Sequence, residues 1–443
     1  MKTIFAQCSG QGKSGVAIYR ISGPSSILVL EKLIGSTISS MLPRTMYLRK
    51  IFNPDSKAQI DESVVVYFNS NSSFTGEESV EIHTHGSISV MKLLMRCLIL
   101  MDDLRIAEPG EFAKRAFLNG KFDLTSAEGL ADLIDSETEE QHKQAIRQLG
   151  GGLEKIYIDW RRQLLEIMSL LEAYIDFPDE DIPSGIISNM IDSVSNLRHE
   201  IDLHLKDDNR GERLRNGLKL AIVGKPNVGK SSLMNYLLKR EASIVSSIAG
   251  TTRDIIEGHL DIAGYPIIIQ DTAGIRENSF DQVEQIGIKK AKEVLENSDI
   301  KIIVYDASVN DKDIDPFVNF TNSSTTIIVF NKFDRSLIPI DQYKNALCIS
   351  VKTGKNLDQL IKDIARIAKQ VADPSDNPQI TRERHRIQLS QAFEALGTFD
   401  PTNNLVLAAE DIRMTIRYLS NITGAISVDE ILGKIFSNFC IGK

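Results

Sequence analysis

The stretch LKLAIVGKPNVGKSSLMNYLL, residues 218–238, joins a short apolar strand to a helix through a glycine-containing loop. Its Gly224, Gly229, Lys230 and Ser231 match G-x-x-x-x-G-K-[ST] in the required strand–loop–helix order. The glycines let backbone N–H groups turn inward around phosphates, and the helix N-terminus adds positive potential. We therefore expect Lys230 to reach the β- and γ-phosphates of a nucleotide and the Ser231 hydroxyl to ligate Mg²⁺.

Two motifs further along the chain extend this site. In the loop IAGTTRD, residues 248–254, a glycine precedes Thr251 and Thr252, one of whose hydroxyls can complete the Mg²⁺ shell. The apolar strand YPIIIQ then runs into DTAG, which supplies Asp271 for the metal and, at Gly274, an N–H that can sense the γ-phosphate. The order of these motifs predicts a site built at successive strand ends.

Two more motifs predict selectivity for guanine. The strand TTIIVFNKFD, residues 325–334, ends in the carboxylate of Asp334. That carboxylate can accept both the ring N–H and the exocyclic amine of guanine, whereas adenine would leave it unpaired at a cost of ~1–3 kcal/mol. CISVKTG follows, with Ser350 and Lys352 in a base-stacking loop.

The five motifs, in this order and at predicted strand ends, resemble a Ras-like GTPase of the translation-factor class. The residues expected to contact GTP are Asn227, Val228, Gly229, Lys230, Ser231, Ser232, Ser246, Ser247, Ile248, Ala249, Gly250, Thr251, Thr252, Asp271, Thr272, Ala273, Gly274, Asn331, Lys332, Asp334, Ser350 and Lys352.

One departure affects catalysis. Ile275 stands where many such GTPases place the glutamine that orients the attacking water. Another polar group must therefore act, unless the nearby charged residues simply form a solvated loop. The segment offers Arg276, Glu277, Asp281 and Glu284. In the phosphate loop, the Asn227 amide oxygen could also hold a monovalent cation in place of an arginine finger.

Composition fits a multidomain globular protein. The 443 residues are 42% hydrophobic and 25% charged, and they suffice for about three domains. Nothing indicates a secretory leader or a membrane span. Four scattered cysteines form no CxxC pair, which predicts a reducing cytoplasm rather than a disulfide framework or zinc site. The net charge of −9 means that any nucleic acid must be held by a local patch.

Helical sequence flanks the nucleotide motifs on both sides. One apolar stripe at helical spacing lies in 154–177, ahead of them, and another in 405–420, after a Pro/Asp linker at 373–380. The stripe residues are Trp160, Leu164, Ile167, Leu171 and Tyr174, then Leu405, Ala409, Ile412, Ile416 and Leu419. This pattern predicts one helical domain with the GTPase inserted in it.

The first 120 residues have strand character. SVVVYF at 63–68 and SVEIHTHG at 79–86 read as strands separated by Gly, Ser and Asn. In the second strand Glu81, His83 and His85 alternate and share one sheet face. A metal site is one interpretation of this trio, and exposed or hydrogen-bonding histidines are the other.

Motifs along the whole length resemble the tRNA modification GTPase MnmE (TrmE) family. Besides the GTPase motifs, they are IYRISGP (18–24), FTGEESVEIHTHG (74–86), PGEFAKRAFLNGKFDLTSAEG (109–129), DFPDED (176–181) and the final FCIGK (439–443). The resemblance implies an α/β and all-α multidomain fold. Its parts are an N-terminal folate-binding and dimerisation domain (1–119), a helical domain in two pieces (120–213 and 373–443) and an inserted Ras-like P-loop GTPase domain (214–372) with a mixed sheet flanked by helices.

The resemblance also implies ligands and roles for particular residues. Arg20, Glu81 and Lys121 fall on folate-binding positions, with Lys443 close by. Ser231 and Thr252 fall on Mg²⁺ ligands, and Glu284 on the glutamate that positions water. The K⁺ ligands implied are Asn227, Ser246, Ile248 and Thr251. The segment AQCSGQGKSG near the N-terminus departs from the family's usual Ala-Thr-Pro-x-Gly-x-Gly, so the dimer or folate edge is less defined there.

The reaction implied is composite. GTP hydrolysis, stimulated by K⁺, moves the GTPase domains of a homodimer apart and together. The motion serves a site where a tetrahydrofolate derivative, in its 5-formyl or 5,10-methylene form, supplies one carbon to C5 of the wobble uridine of certain tRNAs. The product carries a carboxymethylaminomethyl or aminomethyl group. An FAD-dependent partner, MnmG, joins in a heterotetramer or larger complex.

Two rival functions share part of the sequence. A regulatory or ribosome-assembly GTPase would need a basic RNA-binding module, for which only TRERHR at 381–386 is locally basic. A glycine-cleavage-type folate enzyme that merely carries a GTPase is the other.

The final FCIGK has three interpretations. A prenylation box needs two aliphatic residues after the cysteine, and Gly442 breaks that pattern. The tail could simply pack through Phe439 and Ile441. The preferred hypothesis is an arm that brings Cys440 to the folate and uridine site as nucleophile or general acid/base. With Glu284 and Lys230, Cys440 completes the expected catalytic residues.

Overall fold

The computed structural model describes residues 2–177, 184–241, 258–270, 289, 291–309, 317–321, 323–336, 346–373, 378–425, 429–437, 439 and 442. The chain divides into two compact units. The first is Met1–Ala131, Leu149–Ala173 and Ile412–Lys443, and the second is Asp132–Gln148 and Tyr174–Asp411.

A six-stranded sheet forms the centre of the first unit, and it is called the N-terminal sheet below. Its strands are β1 (Thr3–Gln7), β2 (Ser14–Ser22), β3 (Met46–Phe52), β4 (Gln59–Phe68), β5 (Ser79–Gly86) and β6 (Leu104–Ile106). Their spatial order is β3-β4-β5-β2-β1-β6, and only the β1–β6 pair is parallel. Both strands predicted in this region are confirmed.

The two faces of this sheet differ because side chains alternate along each strand. In β5, Val80 and Ile82 are fully buried, whereas the Glu81 and His83 side chains point to the other face and stay partly accessible. The buried face packs against two helices. In β5, Glu81 and His83 therefore lie on the face opposite the main core.

The helices account for most of the remaining described chain. They are α1 (Ser26–Ile34), α2 (Ile88–Ile99), α3 (Glu111–Leu118), α4 (Leu124–Asp135), α5 (Glu139–Leu149), α6 (Gly152–Asp176), α7 (Ser184–Leu205), α8 (Arg210–Asn216), α9 (Lys230–Glu241), α10 (Leu357–Ala372), α11 (Glu383–Gly397), α12 (Leu405–Thr423) and α13 (Asp429–Ser437). The helices that pack on the buried face of the N-terminal sheet are α1 and α2.

Both predicted apolar stripes lie on real helices. In α6 the stripe is buried except at its last member, Tyr174, which is half-buried. In α12, Ala409, Ile412 and Leu419 are buried, while Leu405 and Ile416 are half-buried. The helical predictions on either side of the nucleotide motifs are thus confirmed.

The second unit is built on another six-stranded sheet, called the nucleotide sheet below. Its strands are β7 (Leu218–Val223), β8 (Gly258–Ile262), β9 (Tyr265–Gln270), β10 (Ile300–Asp306), β11 (Thr326–Asn331) and β12 (Leu347–Cys348). Their order is β12-β11-β10-β7-β9-β8, parallel except for the β8–β9 hairpin. The predicted mixed sheet with helices is confirmed, and the carboxyl ends of its parallel strands share one edge.

Within the described residues, no helix is both long enough and apolar enough to cross a membrane. The cytoplasmic location inferred from the cysteines stays a prediction, and so do the bounds of the four predicted segments.

Candidate functional site

The phosphate loop, residues 224–231, needs its two glycines for conformation and for space. Gly224 has a φ of +155° and Gly229 a φ of +102°. A Cβ on Gly224 would lie 2.2 Å from the Val304 carbonyl oxygen, and a Cβ on Gly229 would lie 2.2 Å from the Asn331 side-chain nitrogen. Asn227 also adopts a left-handed φ of +61°. A side chain at either glycine would force the loop open.

The Lys230 ammonium is directed over this loop. Its Nζ donates hydrogen bonds of 2.9 Å to the carbonyl oxygens of both Gly224 and Lys225. Ser231 and Ser232 follow in the first turn of α9 with exposed side chains, while Val228 is buried. The positive charge of Lys230, the N-terminal turn of α9 and the exposed hydroxyls of Ser231 and Ser232 therefore lie together where phosphates would bind.

Asn331 links the phosphate loop to the base loop, a role that the sequence did not reveal. Its side chain is 3% exposed, and its Nδ2 donates to the Val228 carbonyl at 2.9 Å. Its Oδ1 accepts a hydrogen bond of 3.2 Å from the Val351 N–H. No short-range pattern could predict this bridge, because its partners lie in separate motifs.

Asp334 and Ser350 come together at the end of β11. The Ser350 hydroxyl donates to Asp334 Oδ1 at 2.6 Å, and this hydrogen bond lowers the pKa of the Asp334 carboxyl. The carboxylate is thus held in the charged form that two guanine N–H groups require. Lys352 is exposed nearby in sequence.

Asp306 was missed by sequence reasoning. It ends β10, and its Oδ2 accepts a 2.6 Å hydrogen bond from the Lys332 ammonium. Lys332 itself has a φ of +60°. The signal was present as a carboxylate closing an apolar strand, IKIIVYD, beside the two strands already assigned to the site.

Some predicted nucleotide and metal residues lie outside the described residues. They are the positions 246–252 and 271–274, among them the expected metal ligands Ser246, Ile248, Thr251 and Thr252, together with Glu284. Their expected roles stay predictions.

On the N-terminal sheet, Arg20 and Glu81 are cross-strand partners of β2 and β5. Glu81 Oε1 accepts hydrogen bonds from Arg20 Nε at 3.0 Å and Nη2 at 2.9 Å. The guanidinium also lies 5.1 Å from the Phe74 ring centroid and 5.7 Å from that of Phe112. This is a cation held on an aromatic floor by a single carboxylate oxygen.

The second oxygen of Glu81 faces His83, whose Nε2 lies 3.4 Å away. The hydrogen bond from His83 and the charge of Arg20 lower the pKa of Glu81 despite opposing desolvation. The carboxylate is therefore ionised at neutral pH and has acceptor capacity beyond the two groups that hold it.

The histidine trio does not form a metal site. His85 points away, with its Nδ1 2.8 Å from Asp61 Oδ1 and a side chain that is 73% exposed. Across the described part of the chain, no group of three or more metal-capable side chains gathers. The hydrogen-bonding interpretation of these histidines is correct.

Lys121, the third expected folate residue, lies just beyond α3. Its ammonium donates a 2.8 Å hydrogen bond to the Asn71 carbonyl, in the loop that precedes Phe74. Lys443 lies outside the described residues.

The basic stretch TRERHR turns inward. Arg382 donates to Asp132 at 2.6 Å, and Arg386 pairs with Asp207 at 2.7 Å and with Glu212 at 3.1 Å. His385 is fully buried. The charges of Arg382 and Arg386 are therefore paired with carboxylates within the second unit. They do not form the exposed basic patch that a regulatory RNA-binding GTPase would need.

The tail packs through its aromatic residue. Phe439 is 7% exposed and belongs to a cluster with Phe436, Leu124 and Ala113. Its ring centroid lies 5.5 Å from that of Phe436. Packing of Phe439 is thus confirmed, whereas Cys440 and Ile441 lie outside the described residues. Packing through Ile441 and the chemical role of Cys440 stay predictions.

Two family models match the chain. The model described as the GTP-binding protein TrmE N-terminus matches residues 3–121, and the model described as the MnmE helical domain matches residues 124–440. Together they span nearly the whole sequence.

Relatives of the same length are similar throughout. The chain is 53% identical to the tRNA modification GTPase MnmE of Rickettsia akari (strain Hartford) and 54% identical to that of Rickettsia canadensis (strain McKiel), covering 100% of each chain. It is 52% identical to that of Orientia tsutsugamushi (strain Boryong), over 100% of this chain and 99% of the relative.

Among solved structures, the chain is similar to Aquifex aeolicus Era bound to GDP·AlF4⁻. The match has 30% identity, covers 40% of this chain and 66% of the other, and has a TM-score of 0.27. A TM-score this low supports no structural inference.

Proposed function

The chain belongs to the MnmE family of tRNA modification GTPases, and on this premise we propose which reaction its GTP hydrolysis serves. The chain is a GTP hydrolase of tRNA modification. We propose that, with the FAD-dependent partner MnmG, it adds a carboxymethylaminomethyl or aminomethyl group at C5 of the wobble uridine. A tetrahydrofolate bound on the N-terminal sheet supplies the one-carbon unit.

The observation that carries the GTPase part is the Ser350–Asp334 hydrogen bond beside the Asn331 bridge. One carboxylate kept ionised can receive the two guanine N–H donors, and the bridge fixes its distance from the phosphate loop. Calorimetric titration of the full chain with GTP and with ATP tests this. Tight binding of GTP alone is expected, and equal binding of both would contradict it.

Two cations fit the phosphate loop. The exposed Ser231 hydroxyl beside Lys230 suits Mg²⁺, with Thr252 as its second protein ligand. Exposed Asn227, held at a φ of +61°, suits K⁺, with Ser246, Ile248 and Thr251 as the other ligands. Both ions supply positive charge against the phosphates.

The K⁺ part of the proposal has a direct test. Hydrolysis of GTP by the full chain should be several times faster in K⁺ than in Na⁺ at equal ionic strength. An unchanged rate would rule K⁺ out.

Because the side chain of Ile275 has no polar atom, the group that orients the attacking water must be another residue. We propose Glu284 for this role. Glu284→Gln should lower the rate of GTP hydrolysis while leaving GTP affinity intact, and Asp281→Asn is the matched control from the same segment. Equal losses in both variants would point to general disruption of the loop.

The Arg20–Glu81 pair suits a folate. The pterin edge presents N–H donors, for which the ionised Glu81 has acceptor capacity, and the half-buried Phe74 ring offers apolar surface beside the Arg20 guanidinium. Arg20 and Lys121 are cations that suit the folate's glutamate carboxylates.

Calorimetry of the full chain with 5-formyltetrahydrofolate tests the folate site. Glu81→Gln should weaken binding by about tenfold or more, because it removes a charged acceptor. Asp61→Asn, on the same sheet but paired with His85, is the control and should bind normally. Absence of binding by the unmodified chain would favour the regulatory GTPase.

Helix α5 supports coupling between the nucleotide sheet and the helical elements of the second unit. The Glu140 N–H donates to the Gly264 carbonyl, in the β8–β9 turn, at 3.1 Å. Gln141 Nε2 donates to the Arg215 carbonyl at 3.0 Å, in the helix that leads into β7. Movement of the β8–β9 turn or of the helix before β7 would therefore displace α5. This gives a route by which the nucleotide state can reach the helices of the second unit.

The complete reaction and its partners need a cellular test. Deleting the gene should remove the modified wobble uridine from tRNA in a mass analysis, whereas the rival ribosome-assembly GTPase would leave it intact. Cys440→Ser should abolish this modification but spare GTP hydrolysis. A homodimer through the N-terminal domain and co-purification with MnmG complete the proposal, in a cytoplasmic setting.

A further inference from the structure

The end of strand β1 contacts the tail, residues 439–443. The Cys8 thiol donates a hydrogen bond to the Gly442 carbonyl oxygen with an Sγ–O distance of 2.9 Å. Cys8 itself is half-buried, and its N–H is bonded to the Ile18 carbonyl of β2 at 2.8 Å. The thiol is thus presented from a strand whose position is fixed by the sheet.

Gly442 fits this place because it has no side chain. It is buried, with a φ of +101°. A Cβ there would lie 2.2 Å from the Gln7 carbonyl oxygen and 3.1 Å from Cys8 Cα. The obstacle is backbone, so no change of rotamer could relieve it.

A second contact holds the tail at its beginning. Phe439 lies against Gly110, where an added Cβ would approach the Phe436 carbonyl to 2.4 Å and Phe439 Cβ to 3.0 Å. Gly110 precedes helix α3 with a φ of +66°. The tail is therefore held at two points of the first unit, Gly110 and the Gln7–Cys8 segment.

The Gln7–Cys8 segment is adjacent to the folate site in the register of the sheet. Ala6 is the cross-strand partner of Arg20, and Arg20 is the partner of Glu81 on the next strand. Cys8 directly follows β1, two residues beyond Ala6, which is roughly 7 Å at the rise of a strand. A tail seated on Cys8 is thus kept beside the Arg20–Glu81 pair.

We propose that Gln7 and Cys8 form the seat of the tail, and that Cys8 is a positioning residue which fixes the tail through Gly442 for uridine modification. The role in modification rests on the proposed function, whereas the seat rests on the contacts alone.

Hydrogen exchange of the full chain, followed by mass spectrometry of peptides covering 429–443, tests the seat. Cys8→Ala should speed exchange there by about two- to fivefold, as expected for one weak hydrogen bond. Gly442→Ala should speed it by about tenfold, because the strain falls on backbone. Cys8→Ser keeps a donor and should restore slow exchange.

Two controls separate the seat from general effects. Gly12→Ala places a side chain at a φ of +112° with no atom within 4 Å, so it matches the strain of Gly442→Ala without the clash. Cys97→Ala removes a buried thiol of the same unit that lies in helix α2, away from the tail. Neither should speed exchange of the tail, and exchange in Cys8→Ala and Gly442→Ala equal to these controls would overturn the seat.

Modification of tRNA by the same variants tests the positioning role. Wobble uridine modification should fall most in the variants whose tail exchanges fastest. It should return to the level of the unaltered chain in Cys8→Ser. A released tail with full modification would overturn the positioning role. If the unaltered chain does not modify the wobble uridine at all, the proposed function itself is contradicted. The two failures are therefore distinguishable.

Discussion

The two six-stranded sheets arrange their charged side chains in different ways. The nucleotide sheet is mostly parallel, and its polar residues follow the strands at one edge, as Asp334 follows β11. The N-terminal sheet is mostly antiparallel, and its Arg20–Glu81 pair lies within strands, on one face. In a parallel sheet the loops that follow the strands lie together at one edge, and functional residues lie in those loops. In an antiparallel sheet, functional residues can lie on adjacent strands as cross-strand partners.

This difference sets how each site responds to change. The phosphate and base loops can be altered while the strands stay paired, so function is lost with little loss of fold. The Arg20–Glu81 pair belongs to the strands themselves, so removing it affects both ligand binding and the sheet. The following variants test this contrast, beginning with the largest expected effect.

Lys230→Ala should lower the rate of GTP hydrolysis by about 100-fold or more, since it removes the charge that faces the phosphates. Folding of the nucleotide sheet should be unchanged by circular dichroism. Lys225→Ala is the control, because only its backbone carbonyl contacts the Lys230 ammonium. A comparable loss in both variants would mean that the loop's net charge, and not Lys230, governs hydrolysis.

Asp334→Asn should weaken GTP binding by about 10- to 100-fold, the range expected when a charged acceptor is lost. Binding of ATP should remain as weak as before, which titration calorimetry can measure. Asp358→Asn serves as the comparison, because Asp358 is an exposed carboxylate on α10 that is paired with Arg240 of α9. An unaffected affinity in Asp334→Asn would remove the base-selective part of the site.

Glu81→Gln should destabilise the N-terminal sheet at neutral pH by roughly 1–3 kcal/mol, because Arg20 loses a charged partner. The folded pKa of Glu81 lies below its ordinary 4.5. Its stabilisation is therefore present above pH 4.5 and is lost as the pH falls through the folded value. The difference between parent and variant should close in acid.

Hydrogen exchange of β2 and β5 peptides in increasing urea, at neutral pH and in acid, measures this difference. Asp61→Asn should cost less, since its histidine partner is largely exposed. A gap for Glu81→Gln that stays constant with pH would show that the carboxylate charge is not what stabilises the sheet.

Ser350→Ala should have the smallest effect, about a threefold loss of GTP affinity. Without the hydroxyl, the pKa of Asp334 should rise toward its ordinary value while the carboxylate stays ionised at neutral pH. Thr353→Ala is a suitable control, because Thr353 uses its backbone N–H to reach Ser350. A loss as large as that of Asp334→Asn would make Ser350 an essential part of base recognition.

Sequence alone predicted the nucleotide sheet better than the N-terminal one. Each GTPase motif combines a strand and a following loop, so local pattern placed Lys230 correctly after β7, at the start of α9, and Asp334 just beyond β11. The strand predicted to run to Asp334 ends earlier, at Asn331. The pairing of Arg20 with Glu81 depends on the register between distant strands, which no local pattern specifies. The family resemblance, and not the spacing, indicated that these residues act together.

Long-range contacts were also hidden from sequence reasoning within the nucleotide sheet. The Asn331 bridge joins the end of β11 to two separate loops, and the Lys332–Asp306 pair joins the ends of two neighbouring strands. The inward turn of TRERHR was hidden for the same reason, since its partners Asp132 and Glu212 lie on other helices and Asp207 lies between α7 and α8.

The close approach of Gly229 to Asn331 constrains how this sequence can evolve. Any side chain at position 229 would collide with the Asn331 amide. Shortening Asn331 would make room but leave the Val228 carbonyl and the Val351 N–H without their partner. Neither single change nor the double change recovers both contacts, so the two positions show strong epistasis. They are expected to be inherited together, as one unit of selection spread over two motifs.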